Sequence, residues 1–220
     1  MEKEKAKFDT EIDTFLNNIE SLRSTLPDIL KILDTQKIKA NKEYNKFLIS
    51  DCKYIETEKH FEIPPEKGKK YKKLKKTLTN TTIAQKLMIR NFIVSIVSQF
   101  DTYIGDLMST VFDLKPEIID NCERQLSFTQ LRTFDTVADA REYIVEKEVE
   151  SVLRESHSEQ FKWFEKKLNI KLRKDLPAWK GFIELTQRRN LFVHNNGKVS
   201  TQYLNVCSTN NVIIDKKLKI

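Results

Sequence analysis

Three observations predict an all-α protein. Apolar residues recur every three or four positions along the chain, which is the period of a helix face rather than of a strand. Glycine is scarce: there are four in 220 residues, and the first is Gly68. Five prolines add little further turn chemistry, which argues against a β-sandwich or barrel. A composition 39% apolar and 32% charged suits a helical protein with a large polar surface and enough length for one domain core.

Over residues 5–33 the apolar positions Phe8, Ile12, Phe15, Ile19, Leu22, Leu26, Ile29 and Leu33 form a helical stripe, bent or interrupted at Pro27. A second helix over 37–60 carries Ile38, Tyr44, Phe47, Leu48, Cys52 and Ile55. Together these predict an N-terminal helical hairpin or arm over residues 1–66, bounded by Pro64-Pro65. Residues 67–81 read as a lysine-rich linker and 82–220 as the main helical body, an up-and-down bundle. The central helix of that body runs from 82 to 113, with Ile83, Leu87, Arg90, Val94, Val97, Asp101, Ile104 and Met108 on one stripe. Two charges on an apolar stripe each need a partner, because burying either alone is costly. Asp101 either orients Arg189 or His194 or closes an ion pair with another helix.

Helices near 127–133, 136–156 and 158–168 follow. Asp175-Leu176-Pro177 then opens another, with Asp175 a candidate cap and Pro177 suited to the first turn. Beyond Asn210 the pattern weakens; Val212, Ile213 and Ile214 suit a short strand, a docking segment or a disordered tail.

Cys52, Cys122 and Cys207 are odd in number and widely spaced, and His60, His157 and His194 lie equally far apart. Neither a disulfide framework nor a metal site is expected, and no cofactor. Met1-Glu2-Lys3-Glu4-Lys5 is not followed by the apolar run of a secretory signal. The most apolar segment, 89–104, is interrupted by Arg90, Asn91, Ser95, Gln99 and Asp101, too short and polar to span a bilayer. A cytoplasmic location without membrane contact is expected. The formal charge of +7 has a location, because Lys67 to Lys76 holds seven lysines in ten residues. Lys69, Lys70, Lys72 and Lys73 are candidates for sequence-independent phosphate contacts with RNA; the alternative is a solvated linker.

The chemistry concentrates in Arg188-Arg189-Asn190-Leu191-Phe192-Val193-His194-Asn195-Asn196-Gly197. The residues before it read as helix, and Asn195-Asn196-Gly197 as its stop signal. His194 then sits in the last helical turn, facing the partial negative charge of the helix end. An Arg binds phosphate oxygens as a fork and a neighbouring His can move a proton, a pairing suited to phosphoryl chemistry. Five residues advance the helix about 500°, leaving Arg189 and His194 about 140° apart and about 7.5 Å offset. Asn190 and His194, at i and i+4, are neighbours, which makes Asn190 the expected orienter of the imidazole. Arg189 must curl around the helix end or share its target with another chain. Arg188 is expected to face solvent, and His60 and His157 to lie on the surface.

Arg-Asn-x-x-x-His closing a helix resembles the signature of the HEPN superfamily, all-helical domains many of which are metal-independent ribonucleases. The segment from Arg188 to Ser200, followed by Tyr203-Leu204, is similar to the branch typified by RiboL-PSP-type defence proteins. The apolar helix ending Val97-Ser98-Gln99-Phe100-Asp101-Thr102-Tyr103-Ile104 resembles that family's helix with an acidic residue among hydrophobics. The likeness covers roughly residues 82–207.

It implies a HEPN-like bundle that homodimerises with its motif helices facing, so that two Arg and two His surround one cleft. Arg189, Asn190 and His194 are then the catalytic residues. Asp101 supports them, and Tyr203 either packs in the core or reaches a phosphate or base. One His takes the 2′-hydroxyl proton, the other protonates the leaving 5′-oxygen, and the Arg pair stabilises the phosphorane, giving a 2′,3′-cyclic phosphate. The implied role is a toxin of a toxin–antitoxin pair or an antiphage, abortive-infection effector. It would cut tRNA or other cellular RNA and be held by an antitoxin or defence-system partner. The alternative is a non-catalytic HEPN module that binds RNA or a partner protein, or acts as a dimerisation scaffold. A structural helical protein with an accidental motif is the third class.

Overall fold

The computed structural model describes residues 2–120, 122, 124–174 and 176–214. The fold is all-α: the described residues form eight helices and one two-stranded hairpin. They are α1 (Glu2–Asp51), β1 (Lys53–Ile55), β2 (His60–Glu62), α2 (Gly68–Leu114), α3 (Glu117–Asp120), α4 (Phe128–Leu131), α5 (Val137–Leu153), α6 (His157–Leu168), α7 (Trp179–His194) and α8 (Thr201–Thr209). None of the described helices is long and apolar enough to cross a membrane.

The two helices expected over 5–33 and 37–60 are one. Pro27 lies inside α1 without ending it. Its fixed φ suits a helix even though one hydrogen bond is lost, at about 3 kcal/mol. The junction Asp34-Thr35-Gln36 holds no glycine or second proline to break the run. The helix stops earlier than expected, at Asp51. The chain returns through the antiparallel hairpin, pairing Lys53 with Glu62, Tyr54 with Phe61 and Ile55 with His60. Lys59 takes the left-handed conformation (φ 52°) in the turn between the strands.

Residues 68–81, expected as linker, are the first turns of α2. Lysine is a good helix former, and Tyr71, Leu74 and Leu78 give this stretch an apolar stripe. The Tyr71 ring lies 6.0 Å from that of Tyr44 and 6.4 Å from that of Phe47. Asp51 accepts from Lys67 and, at 3.2 Å, from Lys70. Those two ammonium groups hold its carboxyl down at about 2.

The chain packs as two compact units, one of residues 20–92 and one of residues 1–19 with 93–220. The first contains 17 Lys and Arg against 9 Asp and Glu, a net +8, which leaves the second at net −1. The core of the second unit joins Ile104, Met108, Val111 and Phe112 of α2 to Val149 and Val152 of α5 and Phe164 of α6. Phe15 of α1 stacks on Tyr103 at 4.9 Å, and Thr110 donates to Glu11 at 2.7 Å. Gly105 brings α2 and α5 close, since a Cβ there would stand 3.2 Å from the Leu153 side chain. This places the α5–α6 turn beside Asp101.

Side-chain caps fix the starts of the later helices. Thr136 and Asp139 form a reciprocal capping box on α5, Ser156 caps α6 and Ser200 caps α8. Helix α7 differs: Pro177 sits in the turn before it, and Ala178 offers no side-chain cap. Asp175, the expected cap, lies outside the described residues. Of the tail's three alternatives, docking fits residues 212 and 214: Val212 and Ile214 pack against Leu191, Tyr203 and Cys207, and residues 215–220 lie outside the description.

Candidate functional site

A cleft of about 530 Å³ lies in the larger unit, where the end of α7 meets α2, the α5–α6 turn and the start of α8. Asp101, His157, Gln160, Arg189, His194 and Tyr203 all border it. Each element arrives for a local reason. The core stripe of α2 carries Asp101 to the rim of the apolar cluster. Ser156 starts α6 so that His157 is its first residue. Helix α7 ends at His194 because the following residues turn left-handed, with φ 49° at Asn196 and 77° at Gly197. The Asn195 and Gly197 amides both return to the Leu191 carbonyl, at 2.9 and 2.8 Å.

Asp101 is the hub. Its Oδ2 accepts from Arg189 Nη2 at 3.1 Å and its Oδ1 from His157 Nε2 at 2.8 Å. Because a carboxylate only accepts, that His157 nitrogen carries the hydrogen. Arg189 Nη1 donates to Asn190 Oδ1 at 2.9 Å. The Asn190 oxygen is thus spent on Arg189, where the i, i+4 spacing had pointed it at His194. The 140° separation is bridged by the length of the arginine, which runs to Asp101 while His194 stays exposed at the helix end. Among the described residues the His194 side chain makes no hydrogen bond or ion pair.

His157 corrects the sequence reading. Expected on the surface, it is 8% exposed, with its ring edge-on to Phe182 at 5.4 Å and 6.0 Å from Phe100. Ser156-x-x-Glu159 was a helix-start signal, and His157, Phe161 and Phe164 share helical spacing, so the apolar face was readable. His60 is exposed beside Glu58. Arg188 is not a free solvent-facing charge either, because its Nε donates to Glu184 Oε1 at 2.9 Å and its Nη2 forms an ion pair with the same oxygen at 2.9 Å.

Tyr203 borders the cleft but is 1% exposed, and its hydroxyl donates to Glu184 at 2.8 Å. Burial first, then that carboxylate, push the phenol well above its ordinary value. Its packing role therefore dominates. Gln160, 1% exposed, donates to the Leu153 and Glu155 carbonyls at 3.2 Å each and pins the α5–α6 turn. Gln160 Oε1 and Arg189 Nε are buried without a hydrogen-bond partner among the described residues.

The lysine candidates lie in the other unit. Lys69, Lys72 and Lys73 are exposed on α2, whereas Lys70 is paired with Asp51 and lies 5.1 Å over the Phe47 ring. Among the described residues no group of three His, Cys, Asp or Glu is arranged to hold a metal ion. No family model, curated protein or solved structure matches this chain.

Proposed function

We propose that the protein is a HEPN-type endoribonuclease, cutting tRNA or another cellular RNA in the cytoplasm as a toxin or antiphage effector. The observation that carries this reading is the cleft at the end of α7. There a half-buried guanidinium, braced by a carboxylate, and an exposed unbonded imidazole border the same space. Arg189 supplies fixed N–H groups for phosphate oxygens, and His194 is free to take or give a proton. Asn190 and Asp101 hold the guanidinium, and Tyr203 packs α8 against α7. In-line attack by the ribose 2′-hydroxyl then yields a 2′,3′-cyclic phosphate and a 5′-hydroxyl, with no metal step assigned.

The reaction moves two protons, one on to a base and one from an acid, and a homodimer of facing motif helices provides a His194 for each. A net +8 in residues 20–92 suits a polyanionic partner.

The test is cleavage of total RNA by purified protein in excess chelator, with end groups read by phosphatase and kinase sensitivity. Cyclic phosphate ends are expected, lost in His194→Ala and in Arg189→Ala. RNA binding without cleavage by the wild type would favour the non-catalytic module instead.

A further inference from the structure

We propose that His157 is a positioning residue. By holding one oxygen of Asp101, it fixes the turn of that carboxylate, which then meets Arg189 through one N–H alone, so the guanidinium stays open to a phosphate. The phosphate's identity rests on the ribonuclease reading; the geometry does not.

The arginine–carboxylate pairs of this chain differ in how the guanidinium is held. In two of them the carboxylate takes both N–H groups on the outer edge of the guanidinium, Nε and Nη2. Arg23 gives both to Glu20 (2.7 and 2.8 Å) and Arg173 both to Glu165 Oε2 (3.0 and 2.7 Å), whereas Arg188 gives Nε to Glu184 at 2.9 Å with Nη2 as an ion pair on the same oxygen, and the exposed Arg154 meets Glu150 through Nη2 at 3.5 Å. Arg189 departs from the first two. Nη2 reaches Asp101 at 3.1 Å, yet Nε, on the same edge, is buried with no partner among the described residues. A buried donor left unsatisfied beside a carboxylate needs a cause. The carboxylate's other contact is His157, whose Nε2–H holds Asp101 Oδ1 at 2.8 Å and so sets the angle at which Asp101 meets the guanidinium.

The imidazole has little freedom to let go. It begins a capped helix, and Phe100 and Phe182 pack against the ring. Without it, the carboxylate would be free to turn until it also met the idle Nε–H, and a two-bond fork would form. That fork holds Arg189 more firmly against Asp101 and offers less of its charge to a transition state. An ordinary buried ion pair would affect stability alone; a positioning role changes turnover as well.

The full chain is compared as His157→Ala, His157→Phe and His157→Gln. Phenylalanine keeps the aromatic packing but has no donor, whereas glutamine restores a side-chain N–H toward Asp101. On RNA, kcat is expected to fall roughly tenfold in the alanine and phenylalanine variants, with KM little changed. That is less than the roughly 10²–10³ lost when a transition-state donor itself is removed. Glutamine should recover most of the rate and keep both limbs of the pH profile. Wild-type turnover in the phenylalanine variant would overturn the proposal. So would a glutamine variant that stays impaired and loses one limb, because His157 would then be moving the proton itself.

A readout independent of cleavage separates this from the ribonuclease reading. Arginine Nε–H NMR of the folded wild type should show Arg189 as unbonded, and a crystal structure of His157→Phe should show Asp101 on both Nε and Nη2. If the wild type cuts no RNA, the ribonuclease reading falls and these two measurements decide the positioning role. A single-bonded Arg189 in the variant crystal would refute it.

Discussion

Replacing Asp101 with alanine tests the hub of the cleft. The carboxylate accepts from Arg189 at 3.1 Å and from His157 at 2.8 Å, so its loss strands two donors at once. Hydrogen bonds to a charged group contribute about 1.5–3 kcal/mol each, a gross loss of about 3–6 kcal/mol. The side chains of Asp101 and Arg189 are 30% and 25% exposed, so water can replace part of what is lost. A net destabilisation of about 3 kcal/mol is expected, toward the low end for a broken buried pair. For a chain of this size that lowers Tm by roughly 6–12 °C. The assay is thermal and urea melting by far-ultraviolet circular dichroism, with the m-value unchanged.

Two controls set the scale. Asp113→Ala removes only the exposed ion pair with Lys7, and His194→Ala removes a side chain with no hydrogen bond among the described residues. Each should stay within about 0.5 kcal/mol of wild type. Arg189→Ala should fall between these limits, because Asp101 keeps His157 and some water. An Asp101→Ala protein that melts with its controls would refute the claim that this carboxylate organises the cleft.

Two further outcomes follow from the charges. Changing Lys69, Lys72 and Lys73 together to glutamine should weaken RNA binding regardless of sequence. The slope of log K against log salt should flatten by about 0.7 per lost phosphate contact to single strands. Lys70→Gln alone should do less, because Asp51 already holds that ammonium; an unchanged slope in the triple variant would return the stripe to plain solvation. Glu165 is held down at about 2 by Arg173 and by the backbone amides of Leu172 and Arg173. Its folded value lies below its ordinary 4.5, so its contribution is full above about pH 4.5 and is lost as pH falls toward 2. Glu165→Gln should cost roughly 1 kcal/mol at pH 7 and converge with wild type near pH 2. A gap that is the same at both pH values would contradict that assignment.

The parts of the fold legible in the sequence were those where one period ran unbroken. Val97, Ile104 and Met108 kept helical spacing around Asp101, and the structure places all three in the core. Asn195-Asn196-Gly197 marked the end of α7 because left-handed residues leave a compositional trace. Composition misled where it hid a pattern. The lysines between 67 and 76 drew the eye from Tyr71, Leu74 and Leu78, which make the same stretch an amphipathic helix. The hairpin joining α1 to α2 has three-residue strands, too short for alternation to show. His157 was missed because Ser156-His157-Ser158 looks like a loop when its cap is not read with Glu159. Asn190 shows a different limit. Its i, i+4 neighbour was right for an ideal helix, but a charged donor next to it competed better for its oxygen than an exposed imidazole did.

The remaining prediction concerns how many chains one reaction needs. Each cleft contains two imidazoles, His157 and His194, so counting histidines alone would make a single chain sufficient. Their surroundings separate them. His157 has one nitrogen committed to Asp101 and its ring packed against two phenylalanines, whereas His194 is exposed at a helix end. A group that gives a proton and later recovers one needs an open nitrogen and room to turn, and His194 is the imidazole placed for it. One such group per chain cannot act as acid and base on opposite sides of a phosphorus in one step. A two-fold pairing of α7 ends would supply the second. Mixing equal amounts of wild type and His194→Ala, with time for subunits to exchange, should then leave about a quarter of the wild-type activity, because only wild-type pairs would keep both groups. Recovery of half would mean that each chain works alone. In that case His157 would have to leave Asp101 during turnover, and the composite site would be wrong even if the ribonuclease reading held.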